Sequence, residues 1–186
     1  MARVCCGRWR WATTSALDAL ELLMQEHGIR AEDVERLTAR LPDDRIHLVD
    51  DRAIPNLCAQ HLLALLLHDG ALGFATAHDR ERMHDPAILA LRARIRLVPD
   101  PELGRALPPR QAIVEVETRD GRRMAQRARA VRGTPDNPMD RCEVEAKALD
   151  LISPVLGAKR ARALTAQIWR IERVPSVRAL RPMLQA

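Results

Sequence analysis

Aromatic side chains are scarce in this sequence: 186 residues include no tyrosine, one phenylalanine and three tryptophans. Proteins that grip nucleic acid usually cluster positive charge on one face and stack bases on aromatic rings. This chain has few rings, and its formal net charge of +5 is dispersed. Arginines alternate with acids, as in Asp79-Arg80-Glu81-Arg82 and Arg119-Asp120-Gly121-Arg122. Lysine is scarcer still, with only Lys147 and Lys159. An arginine-rich, alanine-rich composition follows from a GC-rich coding sequence without functional pressure. No nucleic-acid partner is expected.

Long apolar runs are missing too. The longest is Leu62 to Leu67, far below the roughly 20 residues of a membrane span. The first residues, MARVCCGRWRWATT, contain no apolar core of a secretory signal. A cytoplasmic protein without a membrane partner is the expectation. With 47% apolar and 30% charged residues, the chain has the composition of a folded domain, not of a disordered tail.

Cysteines are few and poorly spaced for chemistry. Cys5 and Cys6 are adjacent, Cys58 and Cys142 lie far away, and no C-x-x-C occurs. Free thiols in a reducing compartment are expected. His78 and His84 are six apart, which does not place them on one helix face. Glycine-rich nucleotide loops, H-E-x-x-H and G-x-S-x-G are all lacking. We therefore expect neither a metal nor a cofactor.

What is present is a series of well-punctuated elements. Ser15 to His27 has apolar residues at helical spacing, with Thr14 or Ser15 to cap it and Gly28 to stop it. Val34 to Leu41 reads as a strand ended by Pro42, and Asn56 to His68 as a helix apolar nearly all round, hence buried. Asp85-Pro86 starts a short helix, followed by a strand through Ile95 and Leu97 that Pro99 closes. Asp120-Gly121, between two apolar-patterned runs, marks a hairpin near residues 111-132. Asp140 caps a helix through Ile152 that Pro154 and Gly157 break; Ala158 to Ile171 and Ser176 to Leu180 follow as a helical tail. The order predicts an α+β fold with a mostly antiparallel sheet packed with helices, in one domain over 15-186 after a divergent segment over 1-14.

Residue chemistry alone names no reaction. The one ionisable group in a strongly apolar setting is His61, in Cys58-Ala59-Gln60-His61-Leu62-Leu63-Ala64. Such a histidine serves either as a hydrogen-bonded core residue or in proton transfer.

Taken as a series, the motifs carry a resemblance. They are the Cys-bearing start, Ala16-Leu17-Asp18-Ala19-Leu20, Glu26-His27-Gly28-Ile29, Ala59-Gln60 to Asp69-Gly70, Asp85-Pro86, Asp100-Pro101-Glu102-Leu103, and Gly133-x-x-x-Asn137-Pro138. From Ala16 to Leu184 the chain resembles the C-terminal lid domain of the MmgE/PrpD family. That family includes 2-methylcitrate dehydratase, cis-aconitate decarboxylase and iminodisuccinate epimerase. The resemblance implies a lyase or isomerase of small polycarboxylates that needs no cofactor. It also implies a helical partner domain or subunit that supplies much of the acid and base machinery, and a homodimer.

The resemblance further implies site residues. His61 aligns with a tyrosine of some members, which makes it the candidate catalytic group. Arg3, Arg8 and Arg10 are candidates for gripping substrate carboxylates, since a guanidinium binds a carboxylate through two parallel hydrogen bonds. The start departs from the family pattern. No lysine precedes Cys5-Cys6, and no histidine occurs between Arg8 and Thr14. A lid of this kind is expected to turn over little substrate without its helical partner. The alternatives are a stand-alone module that binds a carboxylate or a protein, and a truncated remnant.

Overall fold

The computed structural model describes residues 11–185. It divides into two compact units, Met1–Pro138 and Met139–Ala186.

The first unit is built on four strands, β1 (Val34–Pro42), β2 (Ile95–Asp100), β3 (Ala112–Thr118) and β4 (Arg123–Ala128), in the spatial order β2-β1-β3-β4. Two of the three pairings are antiparallel, β1 with β3 and β3 with β4; β1 and β2 run parallel. The fold is α+β with a mostly antiparallel sheet, as the order of elements predicts.

Alternation sets the faces of this sheet. Leu37, Ala39 and Leu41 on β1 are buried, and so are Val114 and Val116 on β3. The register puts Leu37 opposite Val116 and Ala39 opposite Val114, so these side chains share one face. Helix α1 (Trp11–His27) packs along β3, β4 and β1, and Leu17, Leu20 and Leu23 complete that core. The intervening positions, Arg36, Thr38, Arg40, Glu115 and Glu117, form the opposite face. There a charged ladder joins Arg36 to Glu117 at 3.9 Å and Glu117 to Arg123 at 3.1 Å.

The parallel pairing requires a crossover between β1 and β2. It runs through α2 (Ala59–Asp69), α3 (Phe74–His78) and α4 (Pro86–Arg92), with 3-10 turns at Ile46–Leu48, Pro55–Leu57 and Glu81–His84. The run Leu62 to Leu67 is buried, which explains a helix apolar all round. Gly70 ends α2 in the left-handed conformation, with φ +72°. Asp85 caps α4 by accepting from the Ala87 N–H at 2.9 Å, with Pro86 at the first helical position. Helix α5 (Pro101–Arg105) is capped by Asp100, which accepts from Glu102 and Leu103 and is gripped by Arg40 at 2.7 Å. Burial works to raise the Asp100 carboxyl, but those N–H donors and the guanidinium outweigh it and hold it below the usual range.

The hairpin forms where Asp120-Gly121 places it. Gly121 has φ +86°, its N–H donates to the Thr118 carbonyl at 2.9 Å, and Asp120 accepts from the Arg122 guanidinium at 2.8 Å.

The second unit contains α6 (Arg141–Leu156), α7 (Ala158–Ile168), 3-10 turns at Ile171–Arg173 and Val177–Leu180, and α8 (Arg181–Leu184). Helices α6 and α7 pack on each other. Ala161, Leu164 and Thr165 on α7 are buried, whereas α6 has no buried residue.

Several boundaries differ from the sequence reading, among them the end of α7, which stops at Ile168 rather than Ile171. Helix α1 begins at Trp11, so Thr14 and Ser15 lie inside it and are buried rather than capping it; tertiary packing overrides their weak helix propensity. The buried helix begins at Ala59, because Pro55 sets a separate 3-10 turn before it. Pro154 does not end α6, which runs on to Leu156 and stops at Gly157 with φ +78°.

Candidate functional site

The chemistry-bearing residues of the first unit gather around α2. The helix presents Gln60 to its flank, where the side-chain amide donates to Asp50 at 2.6 Å and its carbonyl accepts the Asp51 N–H at 3.1 Å. One residue later His61 turns inward. Its side chain is 0% exposed, and neither Nδ1 nor Nε2 has a hydrogen-bond partner. Burial pushes the imidazole down to about 4, and the positive fields of Arg92 and Arg82 push the same way, against a weaker pull from Asp79. His61 is therefore neutral at neutral pH.

The two guanidiniums are held by carboxylates. Arg82 spans Asp69 with two bonds of 2.9 and 3.2 Å, and its Nε lies 3.5 Å from Asp85. His68 Nδ1 lies 2.7 Å from Asp69 Oδ1, the oxygen that also accepts the 2.9 Å bond from Arg82. Burial alone would raise the Asp69 carboxyl, but the bonds from Arg82 and His68 prevail and lower it. Arg92 is tied to Asp51 at 3.0 Å. The end of α2, the turn before α4 and the cap of α4 are thus joined by one ionic network.

This arrangement has a definite chemical consequence. A neutral imidazole near two cations is a poor base until negative charge arrives. An anion bound nearby would offset Arg82 and Arg92 and raise the proton affinity of His61. Both ring nitrogens are left without a hydrogen-bond partner among the described residues, an uncommon state for buried polar atoms.

Of the residues expected from sequence, His61 is placed in this setting, while Arg3, Arg8 and Arg10 lie outside the described residues. The sequence alone does not single out Asp69, Arg82 or Arg92. Asp69 reads in sequence as part of a helix stop, and its partner is thirteen residues away across a turn. Among the described residues, no group of His, Cys, Asp and Glu converges as metal ligands. His78 instead contacts the Phe74 carbonyl at 2.7 Å. Cys58 is a buried free thiol and Cys142 an exposed one. Among the described residues, no helix is long and apolar enough to cross a membrane.

The fold and its site define an α+β domain with one helix-covered sheet face and a buried neutral histidine beside an ionic network. The chain matches the MmgE/PrpD C-terminal domain over residues 10–172, and it belongs to that family. No curated protein matches it in sequence.

Proposed function

We propose that this chain acts as the lid of an MmgE/PrpD-type lyase or isomerase. In that role it works with a helical domain or subunit on small polycarboxylates, eliminating water or carbon dioxide or inverting a centre. His61 serves as the proton-transfer or hydrogen-bonding group, and Arg3, Arg8 and Arg10 hold carboxylates. The assembly is a cytoplasmic homodimer that needs no cofactor, built on the domain over 15-186.

The observation that supports a missing partner most directly is the surface of α6. Val144, Leu151 and Val155 recur at spacings of seven and four, so they line one side of the helix, and all three are exposed. Ile168, Ile171, Val177 and Leu184 add further exposed apolar area in the same unit. Exposed apolar side chains along one side of a helix suit contact with another protein. An anionic substrate also fits the electrostatics of His61, since it is the species that would raise the imidazole's proton affinity.

The test combines the full chain with a helical domain of the family and follows complex formation by analytical ultracentrifugation. Turnover of 2-methylcitrate, cis-aconitate and iminodisuccinate is then measured. Complex formation with turnover by wild type, loss in His61→Ala and recovery in His61→Tyr supports the reading. Unchanged turnover in His61→Ala removes His61 from the site, and no complex removes the lid role. The dense core of the first unit favours a second reading, a module that folds and binds a carboxylate alone. Binding of a tricarboxylate by the isolated chain would support it.

A further inference from the structure

Strand pairing gathers charges that lie far apart in the sequence. On the sheet face opposite the core, Glu117 stands between Arg36 on β1 and Arg123 on β4. The next row runs Arg96, Thr38, Glu115 and Ala125 across β2, β1, β3 and β4. The third runs Val98, Arg40, Ile113 and Arg127 in the same strand order. This face is open: the Arg36 and Arg123 side chains are 66% and 79% exposed, and Arg96 and Arg127 are exposed too.

The carboxylates on these rows do not balance the arginines. Glu117 serves both Arg36, at 3.9 Å, and Arg123, at 3.1 Å. Arg40 takes Glu115 at 3.7 Å and also Asp100 at 2.7 Å. Arg127 donates to the Gln111 side-chain carbonyl at 2.9 Å. Neither Arg127 nor Arg96 meets a carboxylate among the described residues. Thr38 and Ala125 are short, and between the charged side chains they leave a depression of about 340 Å³, lined also by Arg36, Glu115, Glu117 and Arg123.

The surplus of positive charge selects among occupants. A second copy presenting the same face would set arginines against arginines, which like-charge repulsion opposes. The first ten residues of the chain carry Arg3, Arg8 and Arg10 and no acid, so they have the wrong sign as well. Nucleic acid would find no aromatic ring on these rows to stack on. Its backbone is also charged at every unit, so phosphates would fall against Glu115 and Glu117. A protein segment can place carboxylates at intervals and leave a neutral residue opposite each glutamate, and a guanidinium binds a carboxylate through two parallel hydrogen bonds.

We propose that the open face of the sheet is a docking surface for an acidic segment of another protein. Arg36, Arg96, Arg123 and Arg127 take its carboxylates, and the depression over Thr38 and Ala125 receives a small side chain between them. The surface lies wholly in the first unit and does not rest on the lid role.

The probe is a fluorescein-labelled peptide of alternating Glu and Ala, titrated with the full chain and followed by anisotropy. Affinity should fall about tenfold between about 50 and about 300 mM salt, as ions screen exposed charges. Arg36→Glu combined with Arg123→Glu should weaken binding about tenfold or more. Arg52→Glu combined with Arg80→Glu makes the same change in net charge on the exposed crossover, and should weaken it by less than about twofold. Glu117→Gln releases both of its arginines and should tighten binding by about threefold, a gain that an unfolded variant does not produce. Absence of binding at low salt overturns the proposal, as do equal losses in the two double variants or an unchanged affinity in Glu117→Gln. A DNA duplex that binds the chain more tightly than the peptide, and loses that binding in Arg36→Glu with Arg123→Glu, overturns it in favour of nucleic acid.

Discussion

Helices α2 and α6 show opposite ways of making a helix in one chain. In α2 the residue before the helix, Cys58, makes no side-chain capping bond, yet seven consecutive residues from His61 to Leu67 are buried. In α6 the start carries a full capping box. Asp140 accepts the Glu143 N–H at 2.8 Å and Glu143 accepts the Asp140 N–H at 2.8 Å, yet no residue of the helix is buried. The first helix is held by its surroundings, the second more by its capped start and its contact with α7. A segment that belongs to a self-sufficient core can neglect local signals. One with no buried residue leans more on local signals, beside its packing on α7.

The largest predicted effect sharpens this contrast. Leu65 in α2 is fully buried, so Leu65→Ala should cost the isolated chain about 2–5 kcal/mol by urea unfolding, from lost burial plus a cavity. Leu151→Ala on the exposed side of α6 should change stability by no more than about 0.5 kcal/mol. Its cost should appear only when a helical partner is added, as weaker association. Equal losses from both substitutions in the isolated chain would mean that α6 is packed as tightly as α2, and the contrast would fail.

A second, smaller effect concerns the polar flaw inside α2. Folded His61 takes up its proton at about 4, whereas in the unfolded chain it does so near 6.5. Between those values the unfolded state holds the extra proton. The stability present above 6.5 is therefore lost as pH falls toward 4. Replacing His61 by leucine removes this titration and two unpaired nitrogens. His61→Leu should raise stability at neutral pH by about 1–3 kcal/mol and flatten the acid limb of a urea-midpoint profile between about pH 6.5 and 4. A variant that is less stable at neutral pH would show that the imidazole is satisfied by a bound water or ligand, which would sharpen the case for a site there.

The sequence made much of the frame visible and little of the site. Strand β1, the Asp85-Pro86 start, the Asp120-Gly121 hairpin and the Asp140 cap are all local chemistry, in which a few neighbouring residues decide the backbone. Boundaries slipped where distant residues decide. Thr14 and Ser15 are good caps in isolation, but their burial draws them into α1. Short α3 and α5 have five residues each, too few to show a period. The setting of His61 was half legible. Its apolar neighbours announced burial, but the fields that lower its proton affinity come from Arg82 and Arg92, 21 and 31 residues further on. Only the crossover between parallel strands brings those groups near α2. Asp18 was visible as part of a motif, and its partner, the Arg132 N–H at 3.0 Å, was not.

The smallest effect tests the local half of the contrast directly. Asp140→Ala removes one acceptor of the capping box and leaves the Glu143 N–H without it, at a cost of about 1 kcal/mol. That cost should not spread. In the first unit the hydrogen-exchange protection of β1 and β3 should stay at wild-type values, while the opening turn of α6 exchanges about five times faster. Adding a helical partner should then recover most of the lost protection, because packing along Val144, Leu151 and Val155 would do for α6 what the leucine cluster does for α2. If the cap variant instead lowers protection throughout β1 and β3, the two units unfold together and α6 is not specified by its ends alone. If a bound partner fails to restore the first turn, the exposed stripe is not what that partner covers.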